Sequence, residues 1–531
     1  MKTTLSTKRF WLLGIAGGLV LSGAFLSFAQ EAQNLPAEAF RSERAGKLAL
    51  FTRWRAASPE GGQLSILYKT VFWDPAKTAA IVCDMWDNHH CPSAARRVNE
   101  MAPRMNRLLH ALRNQGVLII HAPSDTMKFY EGWPQRQLAL AAPKVDTQVP
   151  LLRWCKLDPE REGPLPIDDS DGGCPEPDEP KIVWTRQNEL LEILPQDAIG
   201  DGFEIIYLLK QRGIENVLIM GVHTNMCVLG RPFGIRQLVR QGFNVLLVRD
   251  MTDSMYNPAR PPYVRHVRGT ELVIEHIERY WCPTVSSGDI LGEPAFRFPE
   301  DDRPHVTFLV SDDHYQADKL LPQFAQELSD RYDCYTSVIH GQGKNYLWGI
   351  EELAAADCLV LYVRRLALTK EQLDAIRAYL AAGKPLVALR TASHAFDVRG
   401  EPPAGCAEWP EFDPEVLGGN YKGHTMTGGS LVYVVPEQSQ HPVVAGLPTE
   451  PWRSEGTLYL ASPVREDATI LMLGEAAGRK EPVTWVRTYQ GGRVFYTSLG
   501  HPKDFESPAF RQLLINAIFW AMNRPVPQPR Q

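Results

Sequence analysis

The stretch Glu215-Asn216-Val217-Leu218-Ile219-Met220-Gly221-Val222-His223-Thr224-Asn225-Met226-Cys227-Val228 decides the fold. Its first half is a short apolar run with the length and β-branched content of a buried parallel strand, and Cys227 falls just past its C-terminal end. A helical pattern resumes at Leu229 and continues through Ile235, Leu238 and Val239. Strand, sharp turn with a thiol, then helix presents a nucleophile to a crevice. Turn amides and a helix N-terminus there stabilise negative charge on sulfur or on an oxyanion. A lone cysteine also reads as a small buried hydrophobe, so its neighbours decide.

Outward from this turn the alternation repeats. Thr78–Cys83 reads as a buried strand ended by Asp84, a long helix over 94–114 closes at Gly116, and a strand over 117–120 ends at His121. Residues 181–185 predict a third strand ended by Arg186, the run before Gly221 is the fourth, and 244–248 the fifth, ended by Arg249 and Asp250. Helical stretches near 202–212, 229–241 and 269–280 separate or follow them, so 76–288 reads as an α/β domain with a parallel sheet. Residues 30–75 are a mixed polar lead-in with no assigned chemistry. Ligands of such sheets bind outside the carboxyl ends of the strands, where Asp84, His121, Arg186, Cys227 and Asp250 all stand. A free thiol with a pKa of about 8.5 is only about 3% ionised near neutrality; a carboxylate base, Asp84, and a cation, Arg186, would activate it.

On these residues, 76 to about 285 resembles the isochorismatase-like cysteine hydrolase family, which includes nicotinamidases and N-carbamoylsarcosine amidohydrolase. The matching motifs are Gly221 to Val228 and Ile81-Val82-Cys83-Asp84-Met85-Trp86. The resemblance implies Asp84 as base, Cys227 as nucleophile, a cis Val222–His223 peptide, and the His223 and Cys227 amides as an oxyanion hole. Trp86, Asp87, His121 and Asn225 would line the substrate pocket. The family's lysine is replaced by Arg186, and Lys181 lies at the far end of the expected strand, about 16 Å away. Arginine stabilises a thiolate but cannot shuttle a proton, so Cys227 is expected to titrate well below about 8.5, with Arg186 as the cause. The nicotinamidases also carry a metal site. Asp87, His89, His90 and His121 are available here, but His121-Ala122-Pro123-Ser124-Asp125 lacks the Asp-x-His spacing, and neither metal nor cofactor is expected. The acidic loop Asp168 to Gly173 lacks the spacing and closing glutamate of a calcium loop.

A Pro-, Gly- and acid-rich linker, 289–304, precedes a second α/β pattern over 305–525 and a short tail, 526–531. Strands are expected at 305–310, 334–339, 358–363 and 385–389, helices at 318–330, 370–382 and 510–522, and β-rich segments at 431–435, 483–488 and 493–498. The two halves together give an α/β class, two three-layer α/β/α domains with mainly parallel sheets. This second half resembles the ThuA-like (trehalose-utilisation) family, whose fold is that of class I glutamine amidotransferases. The matches include Glu415 to His424, His441-Pro442-Val443, Pro482 to Trp485 and Gly492 to His501. An amidotransferase needs a cysteine at the elbow after 385–389, but Arg390-Thr391-Ala392-Ser393-His394 stands there. His394, His424 and His501 are expected to line a pocket, with no reaction assigned.

The 531 residues, 44% hydrophobic and 22% charged with net charge -6, suit two or three globular domains and give no basic patch for nucleic acid. Met1 to Ala29 has the layout of a signal peptide, with Lys2, Lys8 and Arg9 ahead of an apolar stretch and Ser27-Phe28-Ala29 at its end. Export to the periplasm or beyond is expected, an uncleaved anchor being the alternative. Nine cysteines leave at least one unpaired, and a Cys155–Cys174 bridge is weighed evenly against two reduced thiols. The expected partners are a small-molecule substrate and, for the second half, a carbohydrate; self-association is left open. Two readings compete: a hydrolase of amide or related C–N bonds working through a Cys227 thioester, and a carbohydrate-handling or binding protein with a degenerate hydrolase domain.

Overall fold

The computed structural model describes residues 46–57, 64–147, 149–176, 181–312, 314–426 and 428–530. The signal-like segment Met1 to Ala29 lies outside the described residues. Among the described residues no helix is long and apolar enough to cross a membrane.

The first half is built on eight strands: β1 (Leu48–Ala57), β2 (Leu64–Trp73), β3 (Thr78–Cys83), β4 (Leu118–Ala122), β5 (Ala198–Ile199), β6 (Asn216–Val222), β7 (Asn244–Asp253) and β8 (Thr284–Val285). Their order is β2-β1-β8-β7-β6-β3-β4-β5, parallel from β8 to β5. Side chains of a strand alternate between faces. Ile81 and Cys83 therefore enter one core with the helices Glu204–Gln211, Ile235–Arg240 and His266–Tyr280, while Ala80 and Val82 pack under the helix Pro92–Asn114. From β3 the chain proceeds to β4 and β5 on one side, and β6 returns to the other side of β3. The switch point, where an open parallel sheet forms its crevice, therefore lies between the ends of β3 and β6.

Two expectations fail here. Within the lead-in, the described stretches Leu48–Ala57 and Leu64–Trp73 pair as the antiparallel strands β1 and β2, which extend the sheet by pairing Arg53 of β1 with Thr284 of β8. Residues 181–185 form no strand; Ile182 is 65% exposed, and the edge next to β4 is filled instead by the two-residue β5. Of the apolar residues of 181–185, Trp184 packs as a side chain, stacking on Trp86 with ring centroids 4.3 Å apart.

The second half holds a ten-stranded sheet and a small ribbon, from β9 (His305–Ser311), β10 (Tyr335–Gln342), β11 (Tyr346–Trp348), β12 (Cys358–Val363), β13 (Leu368–Thr369), β14 (Leu386–Leu389), β15 (Cys406–Ala407), β16 (Ser430–Val434), β17 (Trp452–Ser454), β18 (Thr469–Ala476), β19 (Arg479–Tyr489) and β20 (Gly492–Thr497). The large sheet runs β11-β10-β9-β12-β14-β20-β19-β18-β16-β17, its middle five strands parallel from β10 to β20; β13 and β15 pair separately. The helices Ala317–Arg331 and Pro508–Ala521 cover one face, and Lys370–Ala381 covers the other. The two halves are both three-layer α/β/α units.

The hairpin β1–β2 also touches the second half. Phe51 stacks on Trp348 at 5.8 Å, Tyr68 lies 4.1 Å from the His340 ring, and Thr70 and Arg55 donate to Gln342 and Gln326.

Candidate active site

Gly221 sets the geometry of the nucleophile turn. It adopts φ +106, a region glycine enters without steric cost, and a Cβ there would collide with the Cys83 carbonyl of β3. The close approach brings the ends of β3 and β6 together. Asp84 leaves β3 with φ +48, fully buried, and its Oδ1 accepts from the Ser124 amide at 2.8 Å. The Val222–His223 peptide is cis, and Cys227 opens the short helix Cys227–Gly230 at 8% exposure. The Cys227 thiol and the Asp84 carboxyl are close enough to perturb one another's ionisation. Among the described residues, neither the His223 nor the Cys227 amide has a backbone acceptor within the turn. Thr252 braces the turn from β7, donating to the Gly221 carbonyl at 2.7 Å and lying 2.8 Å from the Thr224 hydroxyl.

The cation of the site is Arg231, which the sequence reading passed over. Its Nε lies 3.2 Å from Asp84 Oδ2 and its Nη2 lies 3.2 Å from Asp125, and its charge bears on the Cys227 thiol. It stands four residues beyond Cys227, one turn on, and its amide donates to the Cys227 carbonyl at 3.0 Å. Arg186 is corrected from its expected role. Residues 181–185 are not a strand, and among the described residues Arg186 pairs with neither Asp84 nor Cys227; its guanidinium reaches Glu189 at 3.4 Å and lies over the Phe129 ring. A signal for Arg231 was present, since a cation at i+4 from a nucleophile at a helix start shares its face.

The expected low thiol pKa is corrected as well. Burial, then the Asp84 carboxylate beside it, pushes the Cys227 thiol well up, and Arg231 offsets this only in part. Burial also pushes the Asp84 carboxyl up, held back by Arg231 and by the hydrogen bonds from Cys227 and Ser124. Burial thus keeps the resting thiol neutral, and Asp84, steadied by Arg231, stands beside it as the group able to take its proton.

The other sequence candidates separate. Trp86 is buried in the crevice wall, donating to the Ser124 carbonyl and stacked on Trp184, with His89 packed against both rings. Asp87 holds the loop after Trp184 by accepting from the Thr185 amide and hydroxyl, at 2.8 and 2.6 Å. Asn225 clamps Met255 through both its amide and carbonyl ends and reaches Asp169, so it orders loops rather than facing a ligand. His121 is also corrected. It is in register with Val82, so its ring points to the opposite face of the sheet, fully buried between Gln187 and Asp197. Asp250 binds the Ser287 and Phe296 amides, because β7 runs on to Asp253. His89 and His121 do not share a site, and His89 is lowered to about 4, first by burial and then by His90. His223 is lowered well below the ordinary histidine range, chiefly by burial. Among the described residues, one cluster has the spacing of metal ligands, Cys91, Cys174 and Glu176. Its two cysteines form a disulfide with Cα atoms 5.7 Å apart, which replaces the expected Cys155–Cys174 bridge; Cys155 is a buried free thiol facing Gln237.

In the second half the three histidines gather around one centre. His394 stacks on Tyr421 at 4.7 Å and lies 6.2 Å from Tyr459, His424 lies 6.3 Å from Tyr459, and His501 lies 6.1 Å from Tyr315. At that centre Arg390, with φ +42 at the elbow after β14, lies between the Tyr315 and Tyr459 rings at 4.2 and 4.9 Å. It donates to the Ser498 carbonyl and the Tyr315 hydroxyl, and among the described residues no carboxylate lies within 4.0 Å of it. Burial, then the nearby arginines, lowers His394 to about 3.

Residues 306–521 match the family described as ThuA, trehalose utilisation. Solved structures similar to the chain include a ThuA-like protein from Bacteroides uniformis, at 18% identity, 43% of this chain, 94% of that chain and TM-score 0.32. They also include a cysteine hydrolase from Pseudomonas syringae pv. phaseolicola, at 16% identity, 41% and 92% coverage and TM-score 0.26. An isochorismatase family protein from Burkholderia thailandensis is similar at 17% identity, 33% and 79% coverage and TM-score 0.20. No curated protein matches the chain.

Proposed function

We propose that the N-terminal unit is a cysteine hydrolase that cleaves an amide or related C–N bond of a small molecule. The observation that carries this is the convergence of Asp84, Cys227 and Arg231 at the switch point of the first sheet. Asp84 takes the thiol proton as the Cys227 sulfur bonds to the substrate carbonyl carbon, and the oxyanion formed faces the His223 and Cys227 amides. Asp84 then gives its proton to the departing nitrogen as the C–N bond breaks, leaving a thioester on Cys227. A water deprotonated by Asp84 attacks the thioester, the C–S bond breaks and a carboxylic acid is released. Arg231 keeps its proton throughout; its charge holds Asp84 ionised and steadies the developing thiolate. The stacked Trp86 and Trp184 rings beside the crevice favour a flat substrate.

The ThuA-like unit, on this reading, binds substrate or carbohydrate near Arg390, Tyr315 and the three histidines. The reading also places the protein outside the cytoplasm, cleaved near Ala29. The Cys91–Cys174 disulfide supports an oxidising compartment. A panel of small amides, assayed for ammonia or amine release with Cys227→Ala as control, tests the hydrolase. N-terminal sequencing of the native protein tests the export: a start at Met1 or Lys2 rejects cleavage.

A further inference from the structure

A cavity of about 150 Å³ lies where the hairpin β1–β2, the linker and β10 meet, lined by none of Asp84, Cys227, Arg231 or Arg390. It is about the size that admits a single benzene-sized molecule. Six arginines line it, and five are paired. Arg53 and Arg55 bind Glu278, Arg268 binds Glu275 and Asp330, Arg297 binds Asp301, and Arg303 binds Asp301 and Glu271. Arg249, on β7, is the exception. Among the described residues it has no carboxylate within 4.0 Å, and its Nη1 is buried with no hydrogen-bond partner. The Arg249 side chain is partly buried, and a guanidinium nitrogen held out of water without a partner is costly, so the void beside it has the chemistry that an anion would satisfy. Around it stand the rings of Phe51 and Phe296, the tyrosines Tyr68 and Tyr335, and two carboxyls, Asp289 and Glu352. Burial pushes both carboxyls up to about 7, so near neutrality they are protonated much of the time and donate to an anion rather than repel it.

We propose that this interdomain cavity binds a small organic carboxylate through Arg249, its apolar part lying between the aromatic rings. The site does not depend on the hydrolase reading, and binding is measured without turnover. Calorimetric titration near neutral pH would use the full-length protein carrying Cys227→Ala throughout, so that no amide is turned over, with butyrate as ligand and butyramide as its uncharged isostere. Butyrate is expected to bind one site, at least tenfold more tightly than butyramide. Arg249→Met is expected to weaken butyrate at least tenfold and Arg249→Lys less, while Arg231→Met, which alters the other strand-end cation, leaves it unchanged. Unchanged butyrate binding in Arg249→Met, loss confined to Arg231→Met, equal binding of butyramide, or no heat from the protein carrying Cys227→Ala alone would each overturn the proposal. If Arg249→Met fails to fold, the butyrate-to-butyramide ratio and the Arg249→Lys variant decide.

Discussion

The two strand-end sites start from the same architecture and arrive at opposite electrostatics. Each lies where a parallel sheet ends and a residue with left-handed backbone turns the chain, Asp84 at φ +48 and Arg390 at φ +42. In the first, a carboxylate, a thiol and a guanidinium touch one another, so a proton has a short path between groups whose charges balance. In the second, the guanidinium lies between tyrosine rings with no carboxylate of the described residues within 4.0 Å, and the nearby His394 is held neutral. The first arrangement is suited to moving a proton, the second to recognising a group. The fold supplies the position and the side chains supply the chemistry.

The contrast can be broken most decisively at Cys227. Cys227→Ala is expected to lower amide hydrolysis at least about 10³-fold while thermal denaturation stays within a few degrees of wild type; retained turnover would move the chemistry elsewhere. Asp84→Asn should cost about 10² to 10⁴ in kcat/KM. In the wild type the acid limb should fall at a pH above the ordinary carboxylate range, because burial raises the Asp84 pKa and only the ionised form accepts the thiol proton. A limb at or below about pH 4 would contradict this placement. Arg231→Ala leaves a fully buried Asp84 without its cation and should destabilise the fold by about 3 kcal/mol and slow turnover, whereas Arg186→Ala, on an exposed pair, should change neither by more than about twofold. Equal effects of the two would restore Arg186 to the site. Iodoacetamide should label Cys227 slowly near neutrality and faster only above about pH 9, since the resting thiol is neutral. The smallest change is expected from Arg390→Met, which removes a buried charge lacking a counter-ion: stability within about 1 kcal/mol of wild type and amide hydrolysis unaltered.

Buried strands with strong periodicity were legible in the sequence, because apolar runs such as Thr78–Cys83 and Cys358–Val363 have no other stable environment. So were the two domain resemblances and the Asp84–Cys227 pair. The segment 181–185 misled because Ile182, Val183 and Trp184 have strand composition, but a strand also needs a partner edge, and β5 occupies it. Arg186 was misplaced for the same reason. Arg231 was missed because a helical i+4 relation was not set against the expected sheet geometry. The hairpin β1–β2 escaped notice because both of its faces are partly covered, so neither strand alternates cleanly. The thiol pKa was misjudged because desolvation, which no motif records, outweighs the neighbouring cation.

The hairpin β1–β2 bears on how the chain can be divided. By sequence it precedes the first domain, by hydrogen bonding it is the edge of that domain's sheet, and by aromatic contact it belongs with Tyr346 and Trp348 of the second. A gene cut at the linker would leave the first product with an aromatic surface made to be covered and the second without its cover. Sequence units and packing units therefore do not coincide in this protein: the hairpin that edges the first sheet is also the cover of the second unit's aromatic surface.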